Sequence, residues 1–335
     1  VLSLPGCDGF RDTKPQLPGN LDTLCMPDYA SGFEMYRYDS STLLRIVNPW
    51  QGADSVSQWV FLSRDDENPP KGFAGETIDV PVRRIVCMSS SYVAFLEALG
   101  ADSTICAISG TGYIWSDKVR NRIAGGEIAE AGFDNSLNFE KLVALKPDVV
   151  FLYGLTGKNA VTDKLHELGL KTVYIGDYVE NNPLGRAEWI TVFGEFTGRR
   201  ELARTLFDSI SNEYNRAKAL VSGVEKRPEV MLNAPWQDSW FVPGDRSYMV
   251  RLLEDAGGNY ACRGVDSDQS RPISTETAFV AASQSDFWLS PGTATSLAEL
   301  NAMNPRFGSI PPVRNGNVYN LSLIHISEPT RLALI

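Results

Sequence analysis

Residues 198–221 read GRRELARTLFDSISNEYNRAKALV, and the reading of this stretch decides the architecture. Leu202, Leu206, Ile210, Tyr214 and Ala217 recur at three- and four-residue steps, the spacing of one helix face. Arg200, Arg204, Asp208, Glu213, Arg216 and Lys218 fill the opposite face. No proline interrupts the run, and Gly198 and Gly223 punctuate its ends. At 1.5 Å per residue such a helix is about 35 Å long, the width of a small domain. Similar sequence lies on both sides of it, so the helix is expected to be a strut between two matched lobes.

Upstream, residues 83–180 alternate short apolar strands with helices. Strands are expected at 85–88, 104–108, 148–153 and 172–175. Between them lie a helix at 92–99 capped by Ser90 or Ser91, a helix at 139–145 capped by Asn138, and one at 159–168. Such alternation implies parallel βαβ units. Downstream comes a weaker copy: strands at 229–233 and 286–289, a helix at 248–256, and a helix at 275–282 capped by Ser274. Asn138-Phe139-Glu140 and Ser274-Thr275-Glu276 occupy matching places, as do Tyr92…Glu97…Gly100 and Tyr248…Glu254…Gly257. Duplication of this kind is an architectural signal. Residues 21–80 differ. They hold short aromatic and β-branched runs separated by turn clusters, the pattern of an antiparallel meander. The expected fold is therefore α/β: two βαβ lobes, at 83–185 and 228–320, joined by a single long α-helix within 186–222, with an N-terminal antiparallel β meander at 21–80.

The ends have their own reading. Leu4-Pro5-Gly6-Cys7 resembles a lipobox closing a secretory signal, which would make Cys7 the lipidated first residue and 8–20 a tether; the alternative is a truncated apolar segment with an incidental cysteine. LSLIHISEPTR at 321–331 resembles a translated sequencing adapter. Residues 321–335 are expected to be foreign on that reading, the second lobe to be truncated, and His166 to be the only native histidine; the alternative is a genuine C-terminal strand.

Composition narrows the function classes. The chain has 335 residues, 43% of them hydrophobic, enough for two cores. A net charge of −10 argues against a nucleic-acid partner, since no basic patch could neutralise phosphates. No run of roughly 18 apolar residues is present, so the chain as given does not span a membrane. Cys25, Cys87, Cys106 and Cys262 show no CxxC spacing, so no metal site is expected; Cys87 and Cys106 read as small core residues. Catalytic signatures are missing: there is no GxSxG, P-loop or HExxH, and His166 in DKLHELG reads as a surface helical histidine. No enzyme activity and no cofactor are expected.

In open α/β sheets, ligands gather beyond the strand C-terminal ends. The loops there carry Tyr113, Trp115, Phe133, Tyr153 and Tyr178 in the first lobe. In the second they carry Trp236, Trp240, Phe241 and Tyr248, with Arg246 and Arg271 as polar anchors. Each aromatic is either core and hairpin packing or part of a cleft for a bulky, planar or partly apolar ligand; Trp115 and Trp236, beside turn residues, are assigned to the cleft. Glu140 and Glu276 are each the second residue of an expected helix, one per lobe. A first-turn carboxylate gains about 0.3–1 kcal/mol from the helix dipole, a purely local role. The functional reading is that two matched carboxylates pair with arginines on a symmetric partner.

RRIVCMSSSYVAFLEALGA, NFEKLVALKPDVVFL, LHELGLKTVYI, GEFTGRRELA and LLEDAGGNY resemble the periplasmic-binding-protein family that serves ABC importers of iron complexes and cobalamin. The resemblance covers about 83–320 and leaves out the meander. It implies two α/β lobes joined rigidly by one helix, a ligand cleft, no catalysis, and further C-terminal helices. It also implies docking on a dimeric ABC permease through Glu140 and Glu276, and a small metal-chelate ligand: ferric siderophore, haem or cobalamin. Members binding bare metal need a histidine cluster, so no metal site is implied. The expected protein is a monomeric, lipid-anchored substrate-binding protein of a bacterial cell envelope. Alternatives are a surface capture or adhesion lipoprotein using the meander as its interaction module, or an enzyme on the same scaffold.

Overall fold

The computed structural model describes residues 22–133, 136–154, 160–236, 239–290, 292, 294 and 296–320. They fall into two compact units, 22–180 with 184–210, and 181–183 with 211–320.

In the first unit β1 (Asp22–Cys25), β2 (Phe33–Tyr38), β3 (Ser41–Val47) and β4 (Ser57–Ser63) pair antiparallel in chain order. The meander is present, but its last strand, β5 (Glu76–Asp79), lies parallel to β4. A tight hairpin cannot join parallel neighbours, and residues 64–75 supply the crossover. Next come β6 (Ile85–Cys87), α1 (Ser90–Ala98), β7 (Ile105–Ile108), α2 (Asp117–Ala124), β8 (Ala129–Glu130), α3 (Phe139–Leu145), β9 (Val149–Leu152), α4 (Ala160–Glu167) and β10 (Thr172–Tyr174). Their strands form one parallel sheet in the order β10-β9-β6-β7-β8. Strands β6, β7, β9 and β10 are buried throughout, as expected of a sheet covered on both faces. Val86, Val150, Leu142 and Leu165 build one core layer. Phe151, on the opposite face to Val150, meets Tyr92, Phe193 and Phe196. Helix α1 is capped by Ser89, one residue earlier than expected, whereas Asn138 caps α3 as its sequence indicates.

The bridging stretch is three helices: α5 (Pro183–Glu188), α6 (Ile190–Thr197) and α7 (Arg200–Leu220). All of α6 is buried, so it has no two-sided pattern to read. Gly198, at φ +69°, ends it. The long helix is the expected one, and it gives residues 200–210 to the first unit and 211–220 to the second. Its buried stripe is Ala203, Phe207, Ile210 and Tyr214. The first half is thus one residue out of phase with the sequence reading, and Leu202 is 43% exposed. Two contacts set that phase. A Cβ on Gly194 would stand 2.5 Å from the Ala203 Cβ, so these helices touch where both side chains are minimal. Phe207 packs edge-on against Tyr29, centroids 6.1 Å apart.

The second unit runs β11 (Glu229–Leu232), β12 (Pro235–Trp236), β13 (Ser239–Val242), α8 (Tyr248–Asp255), β14 (Asn259–Tyr260), β15 (Arg271–Ser274), α9 (Thr275–Ser283), β16 (Phe287–Leu289), α10 (Leu297–Met303), α11 (Pro311–Arg314) and β17 (Val318–Tyr319). Its parallel sheet has the order β14-β11-β16-β17, and β12-β13-β15 form a separate antiparallel sheet. Trp240, Trp288, Phe279 and Phe307 make the core. On α7, Tyr214 donates its hydroxyl to Asp255 at 2.8 Å, and Lys218 pairs with the same carboxylate at 2.8 Å.

Buried carboxylates bind the N-terminal sheet into the first unit. Glu188 accepts the backbone N–H groups of Asp28, Tyr29 and Ala30 at 2.8–2.9 Å. Glu180 accepts those of Ser31 and Gly32, the Ser31 hydroxyl and the Trp189 indole. Gly32 is required here, because a Cβ would stand 2.8 Å from the Trp189 ring. Glu195 is held by Arg200, by Arg64 at 3.1 Å and by Thr42 at 2.9 Å. Burial alone would raise the Glu195 carboxyl, yet the Arg200 hydrogen bond and the arginine charges bring it below the ordinary value. The Gln58 amide, on β4, donates to the Thr172 carbonyl and accepts from the Tyr174 N–H, both at 2.9 Å, covering the free edge of β10. Truncating Glu188 strips three amides of their acceptor at once. Glu188→Ala is expected to lower unfolding free energy in urea by about 2–4 kcal/mol; a loss below about 0.5 kcal/mol would show that water replaces the carboxylate.

Candidate functional site

Because the first unit's sheet is wholly parallel, the loops after its strands share one edge. Order reverses between β6 and β9, the switch point where α/β sheets take ligands. The loop after β7 is stitched to the one after β8 by Glu130, which accepts the N–H groups of Gly110, Thr111 and Gly132 and the Thr111 hydroxyl. Burial raises its carboxyl, but these donors outweigh burial and hold it below the ordinary value. Gly110 sits at φ +76°, and a Cβ there would stand 2.9 Å from the Tyr113 ring and 3.3 Å from Phe133. Tyr113 and Phe133 therefore stand together over this glycine, 70% and 54% exposed. Trp115, 40% exposed, precedes the Ser116 cap of α2. Beyond β9 and β10, the rings of Tyr153 and Tyr178 lie 4.4 Å apart. The Tyr178 hydroxyl donates to the Gly154 carbonyl and accepts the Gln51 N–H at 3.3 Å. Burial is the main cause that pushes Tyr178 up to about 12.

The second unit answers the sequence expectations less evenly. Trp240 is core, not surface: it is fully buried and donates its indole N–H to the Leu232 carbonyl at 3.1 Å, so it cannot touch a ligand without unfolding. It faces inward because β13 places alternate residues on opposite faces, and the exposed neighbour is Phe241. Trp236 is described through its backbone alone, which pairs with Ser239. Arg246 is exposed and paired with Asp266. Arg271 is exposed at the start of edge strand β15. Glu140 and Glu276 are both exposed in the first turns of α3 and α9, and among the described residues neither is ion-paired. Cys7 and the 321–335 tail lie outside the described residues. His166 is half-buried rather than a surface residue, hydrogen-bonded to Thr172 at 2.6 Å and 3.4 Å from Glu76.

Among the described residues, no cluster of three His, Cys, Asp or Glu side chains could hold a metal ion, and no helix is long and apolar enough to cross a membrane. A cavity of about 430 Å³ lies between β1–β2 and helices α6–α7, lined by Cys25, Met35, Arg37, Thr191, Arg200 and Arg204 among others. Its arginines are largely engaged by Glu195, Asp28 and Asp208, so the exposed aromatics of the sheet edge are the better candidate site.

A sequence profile of the periplasmic binding protein family matches residues 85–322. The chain belongs to the periplasmic binding protein family. It is a binding protein rather than an enzyme. An uncharacterized lipoprotein of Methanocaldococcus jannaschii is 28% identical over 315 residues, covering 87% of this chain and 75% of the relative. Among solved structures, the fold is shared with the periplasmic heme binding protein HutB of Vibrio cholerae, at 18% identity and TM-score 0.60, covering 75% of this chain and 94% of that one. It is also shared with a periplasmic binding protein of Veillonella parvula, at 15% identity and TM-score 0.61, covering 85% and 93%.

One group in this periplasmic binding protein was not singled out by its sequence. Asp177 is buried beside β10, and its Oδ1 has no hydrogen-bond partner among the described residues. Burial pushes its carboxyl up to about 6, against a Ser91 hydrogen bond and the Arg186 charge. A polar residue in GDY gives no sign of this, because burial depends on what α1 and α5 bring over it. An aspartate in the unfolded chain titrates near 3.9, so the folded protein binds more protons in between. The stabilisation from this group is fully present below about pH 4 and is lost as pH rises through about 6, on the order of 2–3 kcal/mol. Asp177→Asn is expected to flatten thermal stability between pH 4 and pH 7 (roughly) relative to the parent; an unchanged slope would assign that pH dependence elsewhere.

Proposed function

We propose that this chain is the substrate-binding component of an ABC importer. It captures a small metal chelate, either an iron complex (ferric siderophore or haem) or cobalamin, and delivers it to a dimeric permease. The observation that carries this reading is the exposed aromatic group on the loops after β7 and β8, Tyr113, Phe133 and Trp115, with Tyr153 and Tyr178 on the loops after β9 and β10. Rings held in water by hydrogen-bonded loops gain by covering a large planar or apolar ligand, roughly 1–2 kcal/mol each when buried. Structural neighbours include proteins named for heme and for vitamin B12, which supports this class without choosing within it. In the second unit, taken by itself, Trp236, Arg246 and Arg271 are proposed ligand contacts; Trp240, being buried, is withdrawn.

Glu140 and Glu276 are the proposed permease contacts. Both are exposed, each is the second residue of its helix, and among the described residues neither is ion-paired within the fold, so arginines of a permease dimer can pair with them. Cys7 is the proposed lipid site, in line with relatives described as lipoproteins. The proposed place is the bacterial cell envelope, held at the membrane as a monomer. An adhesion role for the N-terminal sheet is less favoured, because buried carboxylates tie that sheet into the first unit.

Titration with hemin, cyanocobalamin and ferric siderophores is expected to quench tryptophan fluorescence for one class at sub-micromolar concentration. Replacing Tyr113 and Phe133 together with alanine should weaken that ligand by roughly 10- to 100-fold. Silence across the panel would overturn the reading. Reversing charge at Glu140 and Glu276 together should abolish uptake in cells and leave ligand affinity unchanged; loss of affinity would remove them from a docking role.

A further inference from the structure

We infer that the loop at 48–56, part of the N-terminal sheet and outside the family-matched residues, is a wall of the ligand site, and that its Gln51 N–H positions Tyr178. This inference rests on ligand capture at the sheet edge, as proposed above. The loop is fastened at three levels. At its neck Asn48 and Val56 exchange hydrogen bonds of 2.8 and 3.0 Å. At its middle Pro49 lies over Gly176, where a Cβ would stand 3.2 Å from the Pro49 Cα. Trp50 meets Tyr174 edge-on at 5.2 Å and stands 3.3 Å from where a Gly154 Cβ would be. At its tip Gln51 donates to the Tyr178 hydroxyl at 3.3 Å, and that hydroxyl in turn donates to Gly154. Tyr178 thus has its ring against Tyr153 and its hydroxyl fixed between two backbone groups, one of them supplied by the extension. Gln51, Gly52, Asp54 and Ser55 face solvent beside it. A loop so placed is fit to select ligands by shape, because the side chains at its exposed tip are not part of the sheet's packing.

The turn offers a clean test. Ala53 donates to the Trp50 carbonyl at 3.1 Å, Gly52 is at φ +78°, and Gln51 is not in the positive-φ region. This is a type II turn with Gln51 at its second position, which proline favours. Gln51→Pro therefore removes the donor and keeps the turn. The probes are hemin, cyanocobalamin and a ferric catecholate, titrated against the full chain. For the probe that binds, Gln51→Pro is expected to weaken affinity about five- to tenfold, the worth of one hydrogen bond. Tyr178→Phe should do the same, and the double variant should be no weaker than Tyr178→Phe alone. Unchanged affinity in Gln51→Pro, or fully additive losses, would overturn the positioning role while the ligand reading stands. If the parent chain binds none of the three, both fail together. Thermal unfolding within about 2 °C of the parent certifies the turn; if the proline variant unfolds, Trp50→Ala, which unseats the loop, is cycled against Tyr178→Phe with the same decision.

Discussion

The first unit depends on carboxylates taken out of water. A buried glutamate costs several kcal/mol unless its oxygens are fully satisfied. Glu188 and Glu180 are satisfied by consecutive amides of the 28–32 loop. Those amides lie between β1 and β2 and point at the carboxylates, so each side of the contact answers the other's need. Glu195 solves the same problem with arginines. The consequence is that the N-terminal sheet and helices α5 and α6 stand or fall as one body. An extension that looks like an appendage by its sequence is a structural member of the lobe.

That support reaches the sheet edge where ligand is proposed to bind. The Gln58 amide imitates a neighbouring strand for β10, and two residues of the loop that follows β3 press on Gly176 and Gly154. Fixing β10 and its following loop fixes Tyr178, and Tyr178 carries Tyr153 with it. On the other flank, Glu130 does for Tyr113 and Phe133 what Glu188 does for the 28–32 loop: one acceptor organises several donors that would otherwise point into solvent at random. Exposed rings on such ordered loops lose little entropy on binding, which is the physical advantage of preorganisation.

Periodicity made the alternating part of the fold legible. Asn138 before FEKLVAL and Ser274 before TETAFVAA marked α3 and α9 because their caps are local chemistry. The long helix was legible by its period, but the phase of its first half was not, since Gly194 and Tyr29, distant in sequence, choose which residues face inward. Helix α6 was invisible as a separate element for the opposite reason: every residue is buried, so no face contrasts with another. At the site, the turn residues beside Trp115 marked it in the sequence, whereas Tyr113 and Phe133 read equally as packing or cleft, and their exposure follows from the loops that Glu130 ties together. Trp240 could not be assigned, because a hairpin strand offers both an inward and an outward position and the sequence does not say whether Trp240 or Phe241 takes the inward one. Asp177 and Gln51 carry no local mark at all; one is defined by what covers it, the other by a backbone N–H that any residue but proline would supply.

The glutamates of this chain divide by what surrounds them. Glu188 and Glu195 are buried and cannot be spared, because each accepts hydrogen bonds from several groups at once. Glu140 and Glu276 are exposed, lie in first helical turns where the dipole favours a carboxylate whatever else happens, and are not ion-paired among the described residues. Folding therefore asks almost nothing of these two side chains. A residue the fold does not use can change freely without cost to stability, or can be committed wholly to a partner. The pair is repeated, one glutamate in the first turn of the helix before β9 and one in the first turn of the helix before β16, and that repetition is what the local dipole argument does not require.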